Sequence, residues 1–308
     1  MRVLFHTTSI DREAWIDALQ RALPEASIDA WTAGSVCGAD YALLWKPPPA
    51  LVADLRGVKA VFNLGAGVDG MPDLAALPRA TPLVRLDDAG MAEQMVEYVA
   101  HAVLRYYREF DSYAEQQRGR VWQPRPRRSK SDFVVGILGA GVLGVAVVGA
   151  LAALHFPVRA WSRSRRTVAG ATSFAGMADL DAFLSETRVL VCLLPLTRET
   201  AGLLDRNRLS RLPRGAHLVN VARGALLVEA DLLNVLDTGH LAAATLDVFR
   251  DEPLPREHRF WHHPRVALTP HISAVTLIDE SVQQIADKIR RVEAGLPISG
   301  VVDRDRGY

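Results

Sequence analysis

Three polar residues in the second half of the chain each follow an apolar run: Arg223 in Asn220-Val221-Ala222-Arg223-Gly224, Glu252 in Asp247-Val248-Phe249-Arg250-Asp251-Glu252-Pro253, and His271 in Leu268-Thr269-Pro270-His271-Ile272. Taken singly, each has a plain reading: a surface arginine, a solvated glutamate, a capping histidine. Taken together they suit one reaction. Reducing a keto group needs hydride at carbon and a proton at oxygen. Histidine is the side chain able to give that proton near neutral pH. A carboxylate beside the ring fixes its orientation, which is the role expected of Glu252. An arginine fork pins a substrate carboxylate and polarises the carbonyl whose oxygen gathers charge, the role expected of Arg223.

Such a reaction needs a hydride carrier. The pattern GxGxxG occurs twice, at Gly65-Ala66-Gly67-Val68-Asp69-Gly70 and at Gly139-Ala140-Gly141-Val142-Leu143-Gly144. The bare pattern is weak, so context decides. The second copy follows the apolar run Phe133 to Leu138 and opens a helix, with another strand at Val158 to Trp161. In a βαβ unit Gly139 permits the tight turn, Gly141 lets a pyrophosphate approach, and Gly144 lets helix lie on strand. The helix start at Val142 and Leu143 offers free N–H groups to phosphate. The first copy runs into Met71-Pro72, then Pro78 and Pro82, so no long helix follows. It reads either as a tight turn or as a nest of N–H groups for a substrate carboxylate.

Dinucleotide folds that select NADH place an acid at the end of the second strand, against the adenosine ribose. Here that place holds Ser162, then Arg163, with Arg165 and Arg166 close behind. Guanidinium groups suit a 2′-phosphate in charge and shape. The expected cofactor is therefore NADPH, with NADH possible; a plain basic surface turn is the alternative.

The elements that must carry these residues read as α/β. In the first ninety residues, strands are expected at Val3-Leu4-Phe5, 40–45, 58–64 and 83–86, and a helix from Asp11 to Leu23. The run Pro47-Pro48-Pro49 should stop the second strand. One long helix is expected from Met91 to Arg118, on the spacing of Val96, Val99, Val103, Tyr106 and Phe110. A basic, proline-containing linker with solvated charge should follow, from Trp122 to Lys130. Strands are then expected at 133–138, 158–161, 188–194, 216–221 and 242–247. Helices should lie near 142–154, 178–186, 205–212 and 229–238, with a last one over 274–295. Apolar strands alternating with helices predict a parallel sheet covered on both faces. Every residue from Phe133 to Leu154 is apolar or glycine, and a basic cluster precedes it. That invites a transmembrane reading, but the glycine spacing favours strand, turn and helix.

Composition restricts the rest. The chain has 308 residues, 49% hydrophobic and 23% charged, enough for two domains. Lys plus Arg number 36 and Asp plus Glu 35, so no broad field for nucleic acid or membrane is expected. Cys37 and Cys192 have no metal spacing and read as reduced and structural, in a cytoplasmic protein. The opening Met1-Arg2-Val3-Leu4-Phe5-His6 reads as a strand rather than a signal peptide.

These residues resemble the D-isomer-specific 2-hydroxyacid dehydrogenases, and within them the glyoxylate/hydroxypyruvate reductases of the A type. The likeness is carried by Leu64-Gly65-Ala66-Gly67-Val68-Asp69, Gly90-Met91-Ala92-Glu93-Gln94-Met95, Gly136 to Gly144, Trp161-Ser162-Arg163, Leu194-Pro195 and the tail Val302 to Tyr308. The Ala-Arg-Gly, Glu-Pro and Thr-Pro-His contexts, in that order, add to it. The resemblance implies two flavodoxin- and Rossmann-like domains with the active site in the cleft between them. The substrate domain would be residues 1–90 with 272–308, and the cofactor domain 91–271. It implies Arg223, Glu252 and His271 in catalysis, and Gly65, Ala66, Gly67 and Val68 on the substrate carboxylate. Asp247 would meet the nicotinamide carboxamide, and Leu194, Pro195, Val221 and Ala222 would line the cofactor. Trp45 would wall the substrate pocket. A homodimer through the cofactor domain is implied, and Trp122 either packs locally or enters a neighbour's site. The implied reaction is NAD(P)H-dependent reduction of small 2-keto acids, glyoxylate to glycolate and hydroxypyruvate to D-glycerate. Another 2-keto acid, or a nicotinamide-sensing binding protein of the same fold, are the alternatives.

Overall fold

The computed structural model describes residues 1–8, 11–33, 38–71 and 76–308. Cys37 and Pro72 lie outside the described residues. The chain divides into two compact units, Met1–Met91 with Thr276–Tyr308, and Ala92–Val275.

The first unit begins with β1 (Arg2–Thr7), α1 (Arg12–Ala22), β2 (Ser27–Ala30), β3 (Tyr41–Trp45), α2 (Pro49–Ala53), β4 (Ala60–Asn63) and β5 (Leu83–Val84). The strands form a sheet in the order β2-β1-β3-β4-β5, every ladder parallel. Residues Tyr41 to Leu44 are wholly buried, as a strand covered on both faces demands. α1 buries Trp15, Ala18 and Leu19, the stripe its spacing predicts. The proline run does end β3, but Pro49 then opens α2, because proline suits a first helical turn.

The second unit starts with α3 (Met91–Tyr107) and α4 (Phe110–Arg118), where one long helix is expected. The break falls at Glu109, whose backbone is left-handed, with φ 56°. Its carboxylate accepts from Arg125 Nε at 2.9 Å and Arg128 Nη2 at 2.8 Å. Those two arginines of the expected linker are thus paired while still exposed, and they tie the arm 119–130 back onto the helices.

There follow β6 (Val135–Leu138), α5 (Val142–Ala153), β7 (Val158–Ser162), β8 (Thr172–Ala175), α6 (Gly176–Ser185), β9 (Val189–Cys192), α7 (Arg206–Leu209), β10 (Ala216–Asn220), α8 (Glu229–Asp237), β11 (Leu241–Leu246) and β12 (Val266–Leu268). The sheet order is β12-β11-β10-β9-β6-β7-β8, all parallel. The run from Phe133 to Leu154 resolves into strand, turn and a helix of twelve residues. Among the described residues, no helix is long and apolar enough to cross a membrane. α5 buries Gly144, Val147, Val148 and Leu151 while Val142 and Val145 stay exposed, so its missing polar face leaves bare valines at the surface. Cys192 is buried and its burial pushes the thiol up to about 12, consistent with a structural thiol.

α9 (Ile278–Glu293) returns the chain to the first unit. It buries Val282, Ile285, Ala286 and Ile289 at helical spacing. Its Lys288, also buried, donates to Asp87 Oδ2 and to the Arg85 carbonyl, each at 3.0 Å.

Candidate active site

All seven strands of the second unit are parallel, so their carboxyl ends lie along one edge of the sheet. Six of those ends, all but that of β8, bear residues expected to act. Open α/β sheets bind ligands at this edge.

At the end of β6, Gly139 has φ 118°, and a Cβ there would meet the Leu193 carbonyl atoms at 2.7 Å. A Cβ on Gly144 would come within 2.0 Å of the Gly139 oxygen, so helix and turn close only around glycine. Gly141 differs: a Cβ there would meet nothing within 4 Å. Close packing fixes the first and third glycines, while the second leaves the turn bare on its open side. That is the shape a pyrophosphate needs, with Val142 and Leu143 starting the helix behind it. The residues present fit a dinucleotide.

β7 ends at Ser162, whose hydroxyl donates to the Ser164 carbonyl at 2.8 Å. Arg163, Arg165 and Arg166 follow, all exposed, with no acid among them. Arg166 Nη1 donates to the Ala140 carbonyl at 2.6 Å, tying the basic turn to the glycine turn. After β9, Leu194 is buried and Pro195 half-buried, its carbonyl accepting from Thr200 Oγ1 at 2.7 Å.

After β10, Val221 and Ala222 are buried and Arg223 is half-buried in extended backbone. Its guanidinium Nη1 donates to the Ala222 carbonyl at 2.7 Å. Asn220 holds the turn from within: its Nδ2 donates to the Arg223 carbonyl at 3.2 Å, and its Oδ1 accepts from Ala222 N at 3.3 Å. Gly224 is obligatory, since a Cβ would fall 1.8 Å from the Phe249 carbonyl carbon.

His271 and Glu252 meet directly, Nδ1 to Oε2 at 2.8 Å. The other carboxylate oxygen accepts from Phe249 N at 3.0 Å. With Nδ1 engaged and the ring 42% exposed, Nε2 is the nitrogen left to face a reactant. His271 sits in a left-handed backbone, with φ 56°. Asp247, after β11, holds it there. The Asp247 carbonyl accepts from His271 N at 2.8 Å. Its buried carboxylate accepts from Thr269 Oγ1 at 2.6 Å, Ile272 N at 2.8 Å and Ser273 N at 2.8 Å. Thr269 Oγ1 shares a further bond of 2.5 Å with Tyr98 of α3. Asp247 therefore clamps the loop that carries the histidine. Sequence reading gave it a cofactor contact only, and missed Asn220, Thr269 and Tyr98; a lone acid closing an apolar strand was the available sign.

In the first unit, Trp45 ends β3 and lies against the turn after β4. A Cβ on Gly65 would meet its ring at 2.6 Å, so glycine there admits the indole. Ala66 and Gly67 are half-buried and Val68 is buried. Among the described residues, no acceptor takes the N–H groups of Ala66, Gly67 or Val68. The described residues hold no His, Cys, Asp and Glu cluster suited to a metal ion.

Comparisons with known proteins agree with this geometry. The family described as D-isomer specific 2-hydroxyacid dehydrogenase, NAD binding domain, matches residues 100–273. A D-isomer specific 2-hydroxyacid dehydrogenase from Xanthobacter autotrophicus Py2, solved in complex with NADPH and MES, is 39% identical, with a TM-score of 0.95 over 100% of this chain and 99% of that one. An NADPH-dependent glyoxylate/hydroxypyruvate reductase from Sinorhizobium meliloti, solved with NADP and sulfate, is 37% identical, with a TM-score of 0.93 over 100% and 99%. A probable 2-hydroxyacid dehydrogenase from Rhizobium etli CFN 42, solved with NADP, HEPES and L(+)-tartaric acid, is 32% identical, with a TM-score of 0.92 over 100% and 99%. With a glycine turn bare for a dinucleotide and a histidine backed by a carboxylate on the same sheet edge, the chain belongs to the D-isomer-specific 2-hydroxyacid dehydrogenases, an NAD(P)-dependent family.

Proposed function

We propose that this enzyme reduces small 2-keto acids with NADPH, glyoxylate to glycolate and hydroxypyruvate to D-glycerate. The observation that carries the reading is the His271–Glu252 pair on the edge that also bears the glycine turn. The bound nicotinamide supplies the hydride. His271, its Nδ1 held by Glu252, gives a proton from Nε2 to the keto oxygen. Arg223 draws charge onto that oxygen through its guanidinium. The N–H groups of Gly65, Ala66, Gly67 and Val68 take the substrate carboxylate, and Trp45 restricts the room beside them. Leu194, Pro195, Val221 and Ala222 line the ring's site, while Asp247, wholly buried with both carboxylate oxygens taken by the histidine loop, acts by holding that loop rather than by touching the carboxamide. Ser162, Arg163 and Arg165 receive the 2′-phosphate, which favours NADPH over NADH. The reductase from Sinorhizobium meliloti, NADPH-dependent by name, supports both the substrate and the cofactor.

The enzyme acts in the cytoplasm as a homodimer joined through the second unit. Trp122 supports this: it is 99% exposed on the arm that Glu109 pins in place. A cavity of about 1040 Å³ lies beside that arm, lined by Arg118, Arg125, Arg188 and His217 among others.

The test is steady-state oxidation of NADPH and of NADH with a panel of 2-keto acids. The highest kcat/KM is expected for glyoxylate and hydroxypyruvate with NADPH. A clear preference for NADH would end the cofactor reading, and a preference for bulky keto acids would end the substrate reading.

A further inference from the structure

Asn63 closes β4 and is buried, 1% exposed. Its single amide nitrogen donates twice, to the carbonyl of Gly65 at 2.8 Å and to that of Gly67 at 2.9 Å. In a trans peptide the carbonyl of one residue points opposite to the N–H of the next. Drawing the Gly65 carbonyl inward therefore turns the Ala66 N–H outward. Drawing in the Gly67 carbonyl does the same for Val68. One side chain thus bears on two peptide planes, sharing the Gly65 carbonyl with Leu86 N, which donates to it at 3.2 Å, and the N–H groups it turns out are among those without an acceptor in the described residues. Asn63 Oδ1 is buried and has no partner among the described residues. Buried polar atoms are seldom left so. The orphan oxygen is tolerated because the other half of the amide is needed where it stands. Aspartate has the same shape, but would set oxygens against two carbonyl oxygens.

We infer that Asn63 is a positioning residue that aims the Ala66 and Val68 N–H groups at the carboxylate of the substrate, an inference that rests on the proposed reduction of 2-keto acids. Asn63 touches no substrate itself. It controls how well a carboxylate is held, not how fast hydride moves.

The experiment compares the wild-type protein with Asn63→Asp and Asn63→Ser, the second keeping one donor in a smaller side chain that the site accommodates. Thermal unfolding shows which variants fold. KM for glyoxylate is expected to rise more than tenfold in Asn63→Asp and by a smaller factor in Asn63→Ser. KM for NADPH should stay within twofold, and kcat should fall by less than KM rises. Calorimetric binding of oxamate to the NADPH-loaded protein should weaken in parallel. A folded Asn63→Ser with unchanged glyoxylate KM and unchanged oxamate affinity would overturn the inference. So would an equal rise in KM for glyoxylate and NADPH, which marks general disruption. A wild-type protein that reduces no 2-keto acid would overturn the functional reading instead, and the oxamate series would then decide the role of Asn63 alone.

Discussion

The proton donor proposed here is useful only if its ring cannot turn, and Glu252 and Asp247 divide that task. Glu252 holds Nδ1 of His271, and Asp247 holds the Thr269 hydroxyl before it and the Ile272 and Ser273 N–H groups after it. Replacing His271 or Arg223 by alanine should each lower kcat/KM by at least about 100-fold, a usual acid–base contribution. Arg223→Lys should recover little, because a point charge cannot reproduce the planar fork. Asp247→Asn should act differently. An amide would turn a donor either toward the Ser273 N–H or toward the Ile272 N–H and the Thr269 hydroxyl, so both Tm and activity should drop, as scanning calorimetry and turnover will show. Arg223, Glu252 and His271 could be singled out as candidates because polar residues after apolar runs stand out in such a chain. The clamps were not: Asp247, Asn220 and Asn63 work through the direction of their oxygens and nitrogens, which type and spacing do not encode.

At the scale of elements, the glycine turn makes a separable prediction. Gly141→Ala adds a methyl group that meets nothing, so folding and Tm should be unchanged while KM for NADPH rises. Gly144→Ala drives its methyl group into the Gly139 oxygen, so that variant should lose Tm and nucleotide binding together. A second prediction concerns β10. His217 stacks on Tyr106 with ring centroids 4.0 Å apart. Burial, aided by Arg128 and Arg188, lowers its pKa from 6.5 to about 3. The unfolded chain thus binds a proton between about pH 6.5 and pH 3 that the folded chain refuses. Stability should be fully present above that window and decline as pH falls through it. His217→Phe keeps the stack and removes the proton, so the Tm difference between pH 7 and pH 4 should shrink. The central strands were legible as apolar runs because a parallel sheet buries both faces. β2, β8 and β12 escaped notice because they are short and border the sheets, where polar residues are allowed. The break between α3 and α4 escaped too, since it depends on Glu109 finding arginines sixteen and nineteen residues away.

At the scale of the whole molecule, two parallel-sheet units come from one chain that leaves the first, builds the second and returns. The return is structural. Val302 donates to the Leu83 carbonyl at 2.8 Å, and Arg304 donates to the carbonyls of Leu77 and Thr81. Deleting residues 301–308 should therefore lower the Tm of the first unit. The proposed homodimer predicts that Trp122→Asp weakens self-association, read by sedimentation velocity. Unchanged association in that variant would remove Trp122 from the interface. The parallel sheets were legible from the alternation of strands and helices, whereas the division into two units was implied by the family resemblance. The form of the arm at 119–130 was not, because its composition suits a solvated linker equally well.

The most direct measurement uses NADPH deuterated at the nicotinamide C4 position that donates hydride, with glyoxylate as acceptor and product mass as the readout. The account predicts glycolate carrying one deuterium at C2, formed by the wild-type protein and slowed at least about 100-fold in His271→Ala. Unlabelled glycolate, or undiminished labelling by that variant, would contradict it.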